Sequence, residues 1–241
     1  MSLKRLKKLV EVIHLNDNLE VKPKGMAGYD KLHKVRPLVK SLNENCSKTY
    51  HQSNRLSVDE SMVPFKGRSG LKQYMPLKPV KRSYKLWCLA NSVTGFVLKF
   101  DIYSGKTDSS EDIELGERRI LHLCSELADS QAIMAFDNLF TPYKLMVILL
   151  DNSIYSIGTV RVTRKGLPDV LKTNDKLQLG EFMFFVKGPT AAVKLQNSKS
   201  VTILSTATIP KDATSVTWKN KDGTKTVSCP TNIQMYNALT N

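Results

Sequence analysis

The sequence predicts a mixed α/β fold, and three observations support this prediction. Between residues 56 and 162 the stretches follow the order strand, strand, strand, helix, strand, helix, strand, which is typical of a mixed sheet covered by helices. Apolar residues make up 41% of the 241 residues, enough to bury a real core in one or two domains. After Lys165 the pattern changes to short strand candidates joined by polar turns.

The apolar pattern of residues 1–55 predicts a helical segment. In residues 1–15 one helical face is apolar and is surrounded by Lys and Arg; it consists of Leu3, Leu6, Leu9, Val10 and Ile13. We expect this helix to pack on the domain with its basic edge in water, and a helix lying on a membrane or on nucleic acid is the alternative. A second helical pattern runs from Tyr29 to Asn45, and Pro37 must lie in its first turn or kink it.

The residue patterns in the rest of the chain predict strands, with two helices among them. Residue alternation and β-branched content predict strands at 56–63, 86–89, 95–103, 132–136, 154–162, 182–187, 192–195, 201–205, 215–218 and 226–229, with a tight turn at 221–224. One helix is predicted at 111–128. The other follows Thr141 as its N-cap, with Pro142 at its first position.

Two acids follow apolar, strand-like runs 78 residues apart, namely Asp59 and Asp137. A glycine-punctuated turn with Lys66, Arg68 and Lys72 comes after Asp59. Carboxylates bind hard divalent cations, and Lys and Arg bind phosphate, so this combination suggests a metal-assisted reaction on a polyanion. Taken alone, each acid is more often an ordinary strand-end residue or helix cap, and the basic turn is as often simply solvated.

The composition limits the classes of partner and site. The net charge is +14, and residues 101–160, with 4 basic and 10 acidic side chains, are the acidic exception between basic segments. Such a chain attracts nucleic acid or an anionic membrane, unless the basic surface is only solvated. No apolar run reaches the ~20 residues of a membrane span, and the N-terminus does not fit a signal peptide. The four scattered cysteines predict free thiols in a reducing compartment and no zinc site.

Several stretches resemble piggyBac-class transposases and their domesticated relatives. The similar segments are IHLNDN (13–18), VDESMVPFKGR (58–68), YMPLKPVKRSYKLW (74–87), FDNLFTPYKLMVILL (136–150), GTVRVTRKGLP (158–168) and the closing CPTNIQMYN. The resemblance spans nearly the whole chain. It implies an N-terminal helical segment at 1–55, an RNase H-like core from 56–163, a β-rich insertion at 164–230, and a return to the core at 231–241.

The resemblance also implies a catalytic role for the two acids. Enzymes of this class hold two Mg²⁺ or Mn²⁺ ions with three carboxylates, and Asp59 and Asp137 match the first two. The third lies in a Gly-Gly-Val-Asp element after a Tyr-Asn segment, whereas here Tyr236-Asn237 is followed only by Ala-Leu-Thr-Asn, which ends at Asn241. We therefore expect this polypeptide alone to be catalytically incompetent.

For DNA contacts, the resemblance favours Arg161 and Arg164, with Lys66, Arg68 and Lys72 as weaker candidates. It implies cut-and-paste transposition: nicking of a transposon end, hairpin formation and joining to a TTAA target. It further implies DNA as a partner, homodimer formation, a nuclear location and no membrane association. The alternative is a domesticated nuclear DNA-binding or protein-interaction module without catalysis.

Overall fold

A computed structural model of the chain describes residues 1–49, 53–105, 115–172, 177–210, 212–220 and 223–240. In these ranges the helices are α1 (Leu3–Val12), α2 (Arg36–Thr49), α3 (Leu115–Leu123), α4 (Tyr143–Asp151), α5 (Asp169–Lys172) and α6 (Thr231–Thr240). The strands are β1 (Arg55–Pro64), β2 (Gln73–Tyr74), β3 (Arg82–Asn91), β4 (Val97–Ile102), β5 (Ile133–Phe136), β6 (Tyr155–Thr159), β7 (Phe182–Lys187), β8 (Thr190–Gln196), β9 (Ser200–Ser205), β10 (Ala213–Asn220) and β11 (Gly223–Pro230).

Nine strands of the described residues form one mixed sheet, in the order β2-β3-β1-β5-β6-β9-β8-β7, with β4 also paired to β3. The strands β3 and β4 are antiparallel, β3 and β1 are antiparallel, and β1, β5 and β6 are parallel neighbours. Beyond β6, the strands β9, β8 and β7 extend the sheet by antiparallel pairing. The strands β10 and β11 form a separate hairpin.

The two faces of this sheet bury different sets of residues. Met134 and Phe136 of β5 pack on the face that carries α3 and α4, in the larger apolar cluster. Ala135, between them, packs on the opposite face with Ile233 and Leu239 of α6. This arrangement follows from the alternation of side chains along a strand. The core strands therefore have an apolar layer on each side.

The predicted mixed sheet is confirmed, and each predicted strand overlaps an observed one. Pro37 lies in the first turn of α2, as predicted. The first residues of the helix predicted at 111–128 and part of the turn predicted at 221–224 lie outside the described residues. The assignment of residues 164–230 as an insertion stays a prediction. In the described ranges, no helix combines the length and apolar character that a bilayer crossing requires.

Two local predictions are wrong. Thr141 does not cap α4: Pro142 is the N-cap residue and makes no side-chain cap bond, while Thr141 Oγ1 donates to the backbone oxygen of Asp137. The amphipathic helix α1 forms, but none of its residues is buried, and Leu6 and Leu9 are 44% and 48% exposed. Helical periodicity identifies an apolar face without identifying the surface that it meets, which is why the packing of α1 could not be derived.

Candidate functional site

Asp59 and Asp137 lie side by side where the parallel pairing of β1 with β5 ends, Asp59 within β1 and Asp137 directly after β5. In the pairing of β1 with β5, the last register pair is Val58 with Phe136, so the two aspartates are the next residue on each strand. Val58 and Phe136 are buried on the face covered by α3 and α4. Because side chains alternate, the aspartates belong to the α6 face, and both are exposed. The fold thus brings together the two acids that the sequence placed 78 residues apart.

Both aspartates line one cavity with a volume of about 320 Å³. Its wall is completed by side chains from the β2–β3 loop, the β3–β4 turn and α6, including Lys78, Asn91, Ser92, Tyr236, Leu239 and Thr240. Lys78 is the single basic residue among the described residues that line it. The cavity is therefore an acidic pocket with one cationic side chain at its wall.

Local hydrogen bonds fix one oxygen of each aspartate. The backbone N–H of Glu60 donates to Oδ1 of Asp59 at 2.7 Å. Oδ1 of Asp137 accepts from the backbone N–H of Asn138 at 2.6 Å and from the hydroxyl of Thr159 at 2.8 Å. Among the described residues, these hydrogen bonds reach only Oδ1 of each carboxylate. Each side chain is thus oriented by the protein and keeps its Oδ2 atom for another ligand.

Tyr236 of α6 connects this closing helix to the aspartates. Its side chain lines the cavity together with both carboxylates. Burial raises the pKa of Tyr236, and the negative charges of Asp137 and Asp59 act in the same direction, whereas the neighbouring Thr159 side chain acts in the opposite direction. The phenol therefore stays protonated at neutral pH.

Cys88 lies directly opposite Asp59 on the antiparallel strand β3. Burial raises the pKa of the Cys88 thiol to about 11, and the charge of Asp59 contributes to the shift. At neutral pH this group is therefore a thiol and not a thiolate ligand. The described cysteines are all free.

The side chain of Glu60, the sequence neighbour of Asp59, lies on the opposite face of β1. Its carboxylate is bonded to the ammonium group of Lys85 at 2.5 Å, and both side chains are largely buried. The Lys85 ammonium also lies 3.9 Å from the ring centroid of Trp87. Glu60 is therefore engaged in the packing of that face and does not line the cavity.

The basic residues predicted to bind DNA differ in how they are held. Arg161 is exposed two residues beyond β6. Arg164 donates from Nη2 to the backbone oxygen of Leu139 at 3.1 Å, so it supports the turn that follows Asp137. The Lys72 ammonium is bonded to the backbone oxygen of Gly67 at 2.5 Å, which closes the basic turn on itself, whereas Lys66 and Arg68 are exposed on that turn. Contact of these residues with DNA stays a prediction.

The donor set fits a divalent cation held by two carboxylates. Asp59 and Asp137 offer the hard oxygen ligands that Mg²⁺ and Mn²⁺ take, and water can fill the other positions. In the part of the chain that the structure describes, no cluster of three or more His, Cys, Asp or Glu residues forms a metal site. A third protein ligand thus does not accompany the pair within the described residues.

Comparison with known proteins identifies the family of this chain. A family model described as Transposase IS4 matches residues 1–240. The chain belongs to this transposase family. Human PiggyBac transposable element-derived protein 3 is 30% identical over 211 residues, which cover 84% of this chain and 34% of that protein. Human PiggyBac transposable element-derived protein 2 is 31% identical over 165 residues, covering 66% of this chain and 27% of that protein.

A solved structure supports the same conclusion. The transposase chain in a cryo-EM structure of a piggyBac transposase synaptic complex with hairpin DNA is similar to this chain. The match covers 100% of this chain and 48% of the transposase chain, with a TM-score of 0.84 and 25% sequence identity. The chain is therefore a piggyBac-class transposase domain, and its predicted fold class is confirmed. It spans less than half of the length of each of these relatives.

Three residues at this site were not identified as site residues from the sequence: Lys78 and Tyr236 line the cavity, and Thr159 donates a hydrogen bond to Asp137. Lys78 belongs to the YMPLKPVKRSYKLW stretch (74–87), and Tyr236 belongs to the Tyr-Asn segment. Thr159 immediately follows the glycine of the GTVR segment. Each lies in a stretch that carries the family resemblance. The register of β5 with β6 brings Thr159 to Asp137, while the β2–β3 loop and α6 bring Lys78 and Tyr236 to the cavity.

Proposed function

We propose that Asp59 and Asp137 together bind one divalent cation, Mg²⁺ or Mn²⁺, and form part of a centre for DNA cleavage and strand transfer in cut-and-paste transposition. The observation that carries this proposal is the register of β1 with β5, which makes the two carboxylates neighbours on one cavity wall. Membership of the DDE transposase family, which generally uses divalent metal ions, supports it.

The residues of the chain have distinct parts in this proposal. Asp59 and Asp137 bind through Oδ2, while Glu60 N–H, Asn138 N–H and Thr159 Oγ1 orient the two carboxylates through Oδ1. Tyr236 lines the cavity beside the two carboxylates. When bound, the cation would lower the pKa of an attacking water or 3′-hydroxyl and stabilise the developing charge on the phosphate.

DNA is the proposed partner. The net charge of +14 and the exposed Arg161, Lys66 and Arg68 support attraction to a phosphate backbone. The related piggyBac transposase was solved as a synaptic complex with hairpin DNA, which is consistent with this partner. We further propose a nuclear location, homodimer formation and TTAA as the target sequence, all from the family resemblance.

Efficient cleavage by this chain alone is not part of the proposal. Two carboxylates can hold one cation weakly. Displacement chemistry with two metal ions instead requires protein ligands that hold both ions close to the reacting phosphate. We expect the chain to bind Mn²⁺ and DNA but to nick terminal-repeat DNA poorly when Mg²⁺ or Mn²⁺ is supplied. Efficient nicking would contradict this expectation of incompetence while supporting the metal site.

A second candidate function is a non-catalytic module that binds DNA or another protein in the nucleus. It is favoured by the lack of a third metal ligand beside Asp59 and Asp137 among the described residues. Both human relatives are described as transposable element-derived proteins. This candidate predicts DNA binding that is unaffected by Mn²⁺ and by loss of the two carboxylates.

The deciding experiment measures Mn²⁺ binding by isothermal titration calorimetry and electron paramagnetic resonance. Asp59→Asn and Asp137→Asn should each weaken Mn²⁺ binding by at least about tenfold, since each removes one of two anionic ligands. Asp151→Asn, at an exposed aspartate that ends α4, is the matched control and should leave binding unchanged. Equal Mn²⁺ binding by all four proteins would reject the proposed metal site.

A further inference from the structure

One basic side chain, Lys78, lies at the wall of the cavity that contains Asp59 and Asp137. It comes from the loop between β2 and β3, which is distant in sequence from Asp137. It nevertheless lines the same cavity as Asp59 of β1. Lys78 is thus not simply one more member of the basic surface.

Backbone hydrogen bonds hold this loop in a defined shape. The N–H of Met75 donates to the backbone oxygen of Lys81 at 2.8 Å and closes the loop at its base. The N–H of Lys78 donates to the backbone oxygen of Met75 at 3.2 Å. Pro76 lies within this turn and Pro79 follows it, and each proline fixes its own φ angle. The backbone that carries Lys78 is therefore restrained before any ligand binds.

Three other basic side chains near this strand pair, those of Lys85, Lys72 and Arg82, have internal partners. Lys85 is bonded to Glu60, and Lys72 is bonded to the backbone of Gly67. Arg82 lies 5.4 Å from the ring centroid of Tyr74. Lys78 is exposed, and among the described residues it takes part in no salt bridge. The Lys78 ammonium group therefore lies at the wall of an acidic cavity without a salt-bridge partner among the described residues. It is suited to bind an anion, while the carboxylates bind the cation that accompanies this anion.

We propose that Lys78 binds a non-bridging phosphate oxygen of the DNA strand that enters this cavity, and so positions one phosphodiester beside Asp59 and Asp137. This inference rests on the proposed function. A lysine ammonium acts as a compact point charge with three donors, so it can follow a phosphate without demanding one fixed orientation. Lys78 is therefore a positioning residue for the substrate and not a ligand of the cation.

The test uses Fe²⁺ in place of Mg²⁺, with ascorbate and peroxide, to cleave end-labelled duplex DNA near the bound metal. The wild-type chain should give a localised cut whose position reports which phosphate lies at Asp59 and Asp137. Lys78→Gln should weaken that localised cut and lower DNA affinity in Mn²⁺ about tenfold, because a hydrogen bond to a charged group is lost. It should also reduce the slope of log affinity against log salt by about one.

Lys81→Gln is the matched control, because Lys81 is exposed in the same loop but does not line the cavity. It should keep the localised cut, and Lys78→Arg should restore most of it. A Lys78→Gln protein that cuts like the wild type, or a Lys81→Gln protein that loses the cut equally, would overturn the role of Lys78. Circular dichroism and Mn²⁺ binding are measured on each variant to verify folding and the metal site.

The two proposals fail in distinguishable ways. If Asp59→Asn and Asp137→Asn leave the Fe²⁺ cut in place, or if the wild type gives no localised cut, the metal site itself is rejected. If those substitutions abolish the cut while Lys78→Gln does not alter it, the metal site stands and the phosphate contact of Lys78 is rejected.

Discussion

The hydroxyl of Thr159 donates a 2.8 Å hydrogen bond to Oδ1 of Asp137, across the ends of two parallel strands. The register of β5 with β6 pairs Phe136 with Gly158, so Asp137 and Thr159 are the next residue on each strand. The register of β1 with β5 extends this row to Asp59. Three neighbouring parallel strands therefore present one row of side chains, in which Thr159 orients a carboxylate and Asp59 and Asp137 offer oxygen ligands.

Thr159→Val should weaken Mn²⁺ binding about tenfold or more, the range seen when a hydrogen bond to a metal ligand is removed. The substitution keeps the side-chain shape but removes the donor to Asp137, so Asp137 samples more orientations. Thr159→Ser keeps a hydroxyl and should bind Mn²⁺ nearly as well as the wild type. The measurement is calorimetric titration of both variants with Mn²⁺, and equal affinities for the two would refute the orienting role.

Gly158→Ala should destabilise the chain by about 1–3 kcal/mol, the usual cost of overpacking a filled site. A Cβ atom at Gly158 would lie 2.6 Å from the backbone oxygen of Phe136 and 2.8 Å from Oγ1 of Thr141. Both atoms belong to the segment that carries Asp137, so we also expect weaker Mn²⁺ binding. The measurement is the midpoint of urea unfolding, followed by Mn²⁺ titration of the folded variant.

Gly70→Ala is the control for this clash. The nearest atom to a Cβ at Gly70 is Cε of Lys31, at 3.9 Å, which is an ordinary contact. Its free energy of unfolding should stay within about 0.5 kcal/mol of the wild-type value, as for most surface substitutions. Equal losses in the two variants would mean that the close approach at Gly158 is not the cause.

The alkylation rate of Cys88 reports the charge of Asp59. Burial and the Asp59 carboxylate raise the Cys88 pKa to about 11, so only a small fraction is thiolate at pH 8. Asp59→Asn removes one of the two causes and should lower the Cys88 pKa, although burial keeps it above the usual value of 9.0. At a fixed pH below 10, the variant should therefore react faster with iodoacetamide, because the thiolate is the nucleophile.

The measurement is a pH series of alkylation rates followed by mass spectrometry of the Cys88 peptide. Cys46→Ser is introduced in both proteins, because Cys46 is partly exposed and would compete for the reagent. Buried Cys124, with a pKa raised to about 12, serves as an internal reference that Asp59→Asn should not change. An unchanged Cys88 profile would show that the two side chains do not interact.

Much of the sheet could be predicted because each strand carries its own local pattern. Short strand-like runs precede Asp59 and Asp137, so local signals and the family resemblance together predicted that the two acids lie near each other. Tyr236 and Lys78 could not be placed in this way. They reach the cavity through the docking of α6 and the folding of the β2–β3 loop, which depend on long-range contacts.

The helix α6 illustrates what depends on tertiary structure. Residues 231–241 were assigned only to a return toward the core, whereas Thr231–Thr240 forms a helix that buries Ile233 and Leu239 against the sheet. Its apolar periodicity is weak because polar Asn232 is also buried, with its amide donating to the backbone oxygen of Thr208. A buried polar residue with a distant partner cannot be recognised from spacing alone.

Glu60→Gln and Asp59→Asn should have opposite effects, although the two residues are adjacent. Glu60→Gln leaves the largely buried Lys85 ammonium without its anionic partner, so we expect a loss of about 2 kcal/mol in the free energy of unfolding, less than for a fully buried pair. Mn²⁺ binding should stay within about twofold, since Glu60 provides no cavity ligand and alternating side chains face opposite sides of the sheet. Asp59→Asn should weaken Mn²⁺ binding while changing stability little, because its side chain is exposed. Urea unfolding and Mn²⁺ titration of both variants measure the two effects. A Glu60→Gln protein that loses Mn²⁺ binding would instead make Glu60 a ligand and would require β1 to present both acids to one face.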